Sequence, residues 1–333
     1  MRAIIQDRYG PADVLRLDEV PQPTAGRGEV LVRVRAAAIF FGDRRVMRGS
    51  PAIIRSATGW RRPKHRIPGI ELAGIVEAVG ADVTDHAVGD AVLGWGYGAL
   101  AEVACVPAEQ LVAKPDPLTF EEAAAIPEAG MTALQGLRDA ARVGPGQRVL
   151  IIGASGGVGT FAVQIARALG AHVTAVCSTR NVALVRSIGA DEVIDYTRDD
   201  LEARRERWDV IFQAAGTLSP NRLRRLLAPR GTLLLSNGQG RAAGIDRIVA
   251  ASVLDRFVRQ RLVVFLTRED RADLLAVRDL VTSGAVRPVI DRSYPLEGAA
   301  DAFRYLEAGH TQGKVVITVA TELAVPEAGG RAA

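Results

Sequence analysis

Lysine is nearly missing from this 333-residue chain. It occurs only at Lys64, Lys114 and Lys314, so the basic side chains are almost all arginine. The net charge is only +4, and the one dense basic run is "RRPKHR" (Arg61–Arg66). Scattered arginine argues against a phosphate-tracking surface, so no nucleic-acid partner is expected and residues 61–66 read as a solvated loop. Cysteine is scarcer still. Cys105 and Cys177 make neither a four-cysteine zinc lobe nor a secreted disulfide framework, and both read as buried apolar thiols. None of the four histidines (His65, His86, His172, His310) pairs with another at ligand spacing. No apolar run reaches the ~18 residues that span a bilayer. "MRAIIQDRYGPADVLRL" has no cleavable apolar core. A cytoplasmic protein without a membrane partner is expected.

Apolar residues and glycine are plentiful, at 48% of the chain and 34 residues. Two textures divide the sequence. Residues 1–121 carry short apolar runs ("EVLVRVRAAAI", "ELAGIVEAVG", "DAVLGW", "AEVACVP") between Gly, Pro and Asp turns, which reads as a folded β-barrel. Residues 122–287 alternate the strands "RVLIIG", "HVTAVC", "EVIDY", "DVIFQAA", "GTLLLSN" and "LVVFL" with helical patterns. Near-continuous apolar strands joined by helices specify a parallel sheet covered on both faces, so an α/β, doubly wound six-stranded domain is predicted. Residues 288–319 fit the first texture again, which makes the first domain discontinuous. The Gly/Ala-rich tail 320–333 is expected to be mobile.

The segment "VLIIGASGGVGTFAVQIARALGAHVTAVCSTRN" (Val149–Asn181) packs four glycines between a strand and a helix. Gly153, Gly156 and Gly159, with Gly157 beside them, form a tight turn in which bare backbone can approach a pyrophosphate. Ser155 and Val158 belong to the same cradle, and the helix that follows aims unpaired N–H groups at the anion. A dinucleotide is therefore the expected ligand. The second strand ends in Cys177, Ser178, Thr179 and Arg180, with no carboxylate for a ribose 2′-hydroxyl. Two hydroxyls and a guanidinium suit a 2′-phosphate, so NADP is expected; Ser178 or Thr179 can equally cap the next helix. Ala215 and Gly216, Ser236, Asn237 and Gly238, and Phe265 and Leu266 follow later strands, where doubly wound sheets bind ligands.

The motifs "GEVLVRVRAAAI", "PGIELAGIVEAVG", "VGDAV", "AAAIPEAGMTALQGL", "GADEVIDY" and "GHTQGKVVITV", together with the glycine segment, carry a resemblance. Over residues 1–319 the chain resembles the medium-chain dehydrogenase/reductase superfamily, in its zinc-independent quinone oxidoreductase (zeta-crystallin-like) and enoyl reductase branch. The resemblance implies a GroES-like catalytic domain, a Rossmann domain, a cleft between them, and a homodimer or homotetramer. It also implies NADPH-dependent hydride transfer to a quinone or an α,β-unsaturated carbonyl. Zinc-dependent relatives carry Gly-His-Glu where this chain has Gly69, Ile70 and Glu71, so no metal site is expected.

Two departures stand out. Phe40 replaces the Asn of related reductases, and Arg45 stands near their Tyr or His. Phe40, Phe41, Trp60 and Trp95 are read as aromatic walls of an acceptor pocket, with ordinary core as the alternative for Phe40, Trp60 and Trp95. Tyr97, Arg45 and Thr132 are the candidate donors to a developing oxyanion. Glu128 is read as a proton relay or a helix-end anion, and Lys314 as structural. The rival to a reductase is a nucleotide-holding or sensing protein that lost turnover with Phe40. A reductase that tailors a biosynthetic intermediate is a variant of the first reading.

Overall fold

The computed structural model describes residues 1–236, 250–251, 254–255, 257–309 and 311–319. The predicted tail, Asn237, Gly238 and His310 lie outside the described residues.

Strands β1 (Arg2–Gln6) and β2 (Leu15–Glu19) pair antiparallel. Strands β3 (Glu29–Ile39), β4 (Glu71–Val79), β5 (Ala91–Trp95), β6 (Val103–Pro107) and β7 (Leu111–Ala113) follow. Alternation decides what β3 does. Val30, Val32, Val34, Ala37 and Ile39 enter one core with Leu72, Val76 and Phe303. Ala36 and Ala38 face the other way, onto residues 123–134. Bulges between Leu31 and Val32 and between Val34 and Ala36, opposite β4, bend the strand, as an extra unpaired residue does.

The second sheet holds β8 (Arg148–Ile152), β9 (His172–Cys177), β10 (Glu192–Asp195), β11 (Trp208–Gln213), β12 (Leu227–Leu235) and β13 (Arg261–Val264). All six are parallel, in the order β10-β9-β8-β11-β12-β13. Val149 and Ile151 of β8 pack into one core with Phe161, while Leu150 and Ile152 pack on the other face with Trp208 and Leu223. Burial on both faces is what the unbroken apolar runs require. Truncating the fully buried Phe161 to alanine would cost ~3–5 kcal/mol. The chain then returns to the first domain as β14 (Ile290–Pro295) and β15 (Lys314–Thr318), and β15 pairs antiparallel with β3. The first sheet runs β14-β15-β3-β4-β5-β7, with β6 also on β3.

This is the expected α/β architecture of a GroES-like barrel and a doubly wound Rossmann domain. The turn after β8 opens where strand order reverses, the position at which such sheets bind ligands. No helix among the described residues is long and apolar enough to cross a membrane.

Candidate active site

The glycine turn is built by steric exclusion. Gly153 has φ +82°, and a Cβ there would lie 2.5 Å from the Ala215 Cβ. At Gly159 a Cβ would lie 2.1 Å from the Gly153 carbonyl oxygen, so this glycine sets how closely helix and strand pack. Gly156 caps the helix Gly157–Ala168 without any side-chain acceptor, which leaves the first N–H groups of a twelve-residue helix pointing outward. The other wall is β15: Gly313 donates its N–H to the Ser155 carbonyl at 2.8 Å, and Gly156 bridges Gly313.

A cleft of about 1380 Å³ runs along this turn between the two domains. Sites for single small molecules span ~300–1,000 Å³. The larger volume fits a dinucleotide with a second molecule beside it. At the β9–β10 end the lining includes Ser178, Arg180, Asn181 and Tyr196. Asn181 is buried and donates to Ser155 Oγ at 2.7 Å, while its Oδ1 has no hydrogen-bond partner. A bare-backbone cradle beside an orphaned buried acceptor fits a nicotinamide dinucleotide, whose ribose hydroxyls are donors. Asp199 and Asp200 also line this end, and Asp200 accepts the Glu202 N–H at 2.9 Å.

At the other end, Phe40, Phe41, Arg44, Arg45, Arg48, Glu128, Thr132 and Thr267 line the cleft. The helix Phe41–Arg48 presents the arginines, and the helix Pro127–Leu134 presents Glu128 and Thr132. Thr132 Oγ1 lies 2.6 Å from Thr267 Oγ1 and donates to Glu128 Oε1 at 3.5 Å. Arg44 and Arg45 stack over the Phe41 ring at 4.9 and 5.2 Å. Burial, and then the neighbouring Arg44 charge, lowers the Arg45 pKa.

Beneath this end lies a buried charge cluster. Lys314 Nζ bonds Glu71 Oε2, and the Glu128 N–H donates to Glu71 Oε1 at 2.9 Å. Burial pushes the Glu71 carboxyl up, against the pull of Lys314. Burial likewise raises Asp43 to about 8, opposed by the Phe40 N–H it accepts at 3.0 Å. Among the described residues, no three His, Cys, Asp or Glu side chains are grouped to hold a metal ion.

Residues 26–116 match the family described as alcohol dehydrogenase GroES-like domain, and residues 188–317 match zinc-binding dehydrogenase. The chain is 32% identical over 334 residues to the chloroplastic quinone oxidoreductase QR1 of Triphysaria versicolor, covering 95% of this chain and 98% of that one. It belongs to the medium-chain dehydrogenase/reductase superfamily, in the zinc-independent quinone oxidoreductase branch. It is also 31% identical over 333 residues to a chloroplastic NADPH-dependent alkenal/one oxidoreductase of Arabidopsis thaliana, over 95% of this chain and 79% of that one. The crystal structure of Escherichia coli quinone oxidoreductase complexed with NADPH superposes with a TM-score of 0.82 at 26% identity, covering 96% and 100% of the two chains.

This quinone oxidoreductase relative is therefore an oxidoreductase that uses a nicotinamide cofactor and a small-molecule acceptor. Its cleft collects most of the residues expected from sequence. Gly153, Ser155, Gly156, Gly157, Val158, Gly159, Ser178, Arg180, Ala215, Gly216, Ser236, Phe265 and Leu266 line it, as do Arg45, Thr132, Phe40 and Phe41.

Four expected residues stand elsewhere. Thr179 is turned away, donating to Asp195 Oδ2 at 2.5 Å with Thr197 Oγ1 at 2.7 Å. Trp95 is core, packed with Leu93 and Ile126. Trp60 is 73% exposed and outside the lining. Tyr97, 63% exposed, stacks on His65 at 3.8 Å, also outside the lining. Sequence reasoning missed Asn181, Tyr196 and Thr267, and it gave Lys314 no place in the cleft. The "VIDY" tyrosine, one residue past β10, was the available signal for Tyr196.

Proposed function

We propose that this oxidoreductase uses NADPH to reduce a quinone or an α,β-unsaturated carbonyl. The observation that carries the reading is the continuity of one cleft from the glycine turn to an end lined by Phe40, Phe41, Arg45 and Thr132. When bound, the nicotinamide supplies a hydride to the acceptor. The protein does the rest. N–H groups at Gly157–Gly159 hold the pyrophosphate, and Ser178 and Arg180 hold the 2′-phosphate. Asp195, which pairs with Cys177 at the end of β9, is committed to Thr179 and Thr197 and lies outside the cleft lining, so it is not offered to a free 2′-hydroxyl. That supports NADP over NAD. Exposed Tyr196 gives adenine a face to stack on. Phe40 and Phe41 wall a flat acceptor, and Arg45 and Thr132 donate to its carbonyl oxygen as charge develops there. A homodimer or homotetramer belongs to the same proposal through the family resemblance.

The test is a consumption screen with NADPH and NADH over quinones, enals, enones and enoyl thioesters. At least one class should oxidise NADPH, and faster than NADH. Tight NADPH binding with no consumption by any class would make this a nucleotide-holding protein instead.

A further inference from the structure

Three carboxyl groups, those of Asp43, Glu71 and Glu128, gather around Lys314 under the acceptor end of the cleft. Only Glu128 reaches the cleft lining. Glu71 is fully buried, with one oxygen on Lys314 and the other on the Glu128 N–H. Asp43 is buried behind Phe40, whose N–H it accepts. Glu307, also at this end, is held by Arg44 at 3.3 Å and by Arg48 Nη2 at 2.9 Å. Asp199, Asp200 and Glu202 lie beyond the glycine turn, near Arg180 and Tyr196. Among the described residues that line the acceptor end, Glu128 is therefore the carboxyl not paired with a lysine or arginine. Its side chain meets the Thr132 hydroxyl, which continues to Thr267, and all three line the cleft.

Resting on the function proposed above, we infer that Glu128 is the catalytic acid that delivers the proton completing reduction of the acceptor. Hydride addition at the β-carbon breaks the C=C π bond and leaves an enolate. The Glu128 O–H bond then breaks, its proton forms the new C–H bond at the α-carbon, and the carbonyl is restored. The acceptor gains two electrons from the nicotinamide, and Glu128 is left as a carboxylate that water at the cleft mouth reprotonates.

The surroundings keep that proton in place until it is used. Burial and the Glu71 carboxylate push Glu128 up to about 7, Lys314 pulls the other way, and Glu269 adds to the push. Asp43, across the cluster, holds its own proton near neutrality. An acid whose pKa lies near the working pH transfers its proton efficiently.

Glu128→Gln tests this and leaves the backbone N–H that Glu71 accepts. The variant should bind NADPH as the wild type does, while kcat with an enone falls ~10²-fold. The wild-type decline of kcat as pH rises through about 7 should vanish with it. In D₂O the wild type should deuterate one face of the α-carbon and the variant both. A readout without turnover is the infrared difference spectrum of the NADPH complex, where a protonated-carboxyl band titrating near 7 should be absent in E128Q. Wild-type kcat, pH profile and stereochemistry in E128Q would overturn the inference. So would a spectrum with Glu128 ionised throughout. A wild-type enzyme that reduces no acceptor would overturn the proposed function, and this inference with it, even if infrared finds the proton.

Discussion

Glu71 and Lys314, 243 residues apart, meet in an ion pair whose side chains are 0% and 2% exposed. Glu71 opens β4 and Lys314 opens β15, while the Glu128 N–H ties the same carboxylate to the helix Pro127–Leu134. Lys314 also presses on the glycine turn, since a Cβ at Gly157 would lie 3.1 Å from its Cδ. One pair thus ties the two domains together beside the cleft.

Removing one member should cost more than removing both. Lys314→Met strands the Glu71 charge in the interior and is expected to destabilise the protein by ~3–5 kcal/mol. The double variant E71Q/K314M should recover part of that loss. Urea unfolding of the two variants checks the order.

Gly156→Ala separates the cradle from the fold. A Cβ there meets nothing closer than the Gly153 carbonyl oxygen at 3.5 Å, so stability should stay within ~0.5 kcal/mol. The added methyl occupies the cleft where the pyrophosphate approaches, and NADPH affinity should fall about tenfold or more, a loss of ~1.4 kcal/mol. Gly159→Ala should fail differently, in the fold, because its Cβ meets backbone at 2.1 Å. Fluorescence titration and thermal unfolding distinguish the two.

Arg180→Ala should raise the KM for NADPH about tenfold, equivalent to ~1.4 kcal/mol, and leave the KM for NADH almost unchanged. Equal changes for both cofactors would remove Arg180 from 2′-phosphate recognition.

Stability should fall as pH rises from about 4 to about 8. Asp43 and Glu128 keep their protons to about 8 and about 7 in the fold, whereas their ordinary values are 3.8 and 4.5. Across that window the native state binds more protons than the unfolded state, so each pH step favours unfolding. Asp43→Asn, which still offers an oxygen to the Phe40 N–H, should flatten the slope in urea titrations.

Local rules made the sheet and the glycine turn legible. Positive φ at Gly153 and the unbroken apolar run of β8 are properties of a few adjacent residues. The acceptor end was less legible because it depends on pairs distant in sequence. Nothing near Lys314 announces Glu71. The hydroxyl of Thr179 looked available until Asp195, sixteen residues on, was seen to take it. Aromatic residues at a strand end or in a loop carry no direction of their own. Trp95 lies opposite Glu71 in the β4–β5 register and packs in the core, while Tyr97, two residues later, turns out onto His65.

The central claim is hydride transfer within one cleft, and isotope tracing tests it most directly. NADPH carrying deuterium at C4, incubated with the protein and an enone, should yield product labelled at the β-carbon. Cofactor that stays bound and unoxidised, or product without label at that carbon, would contradict the account.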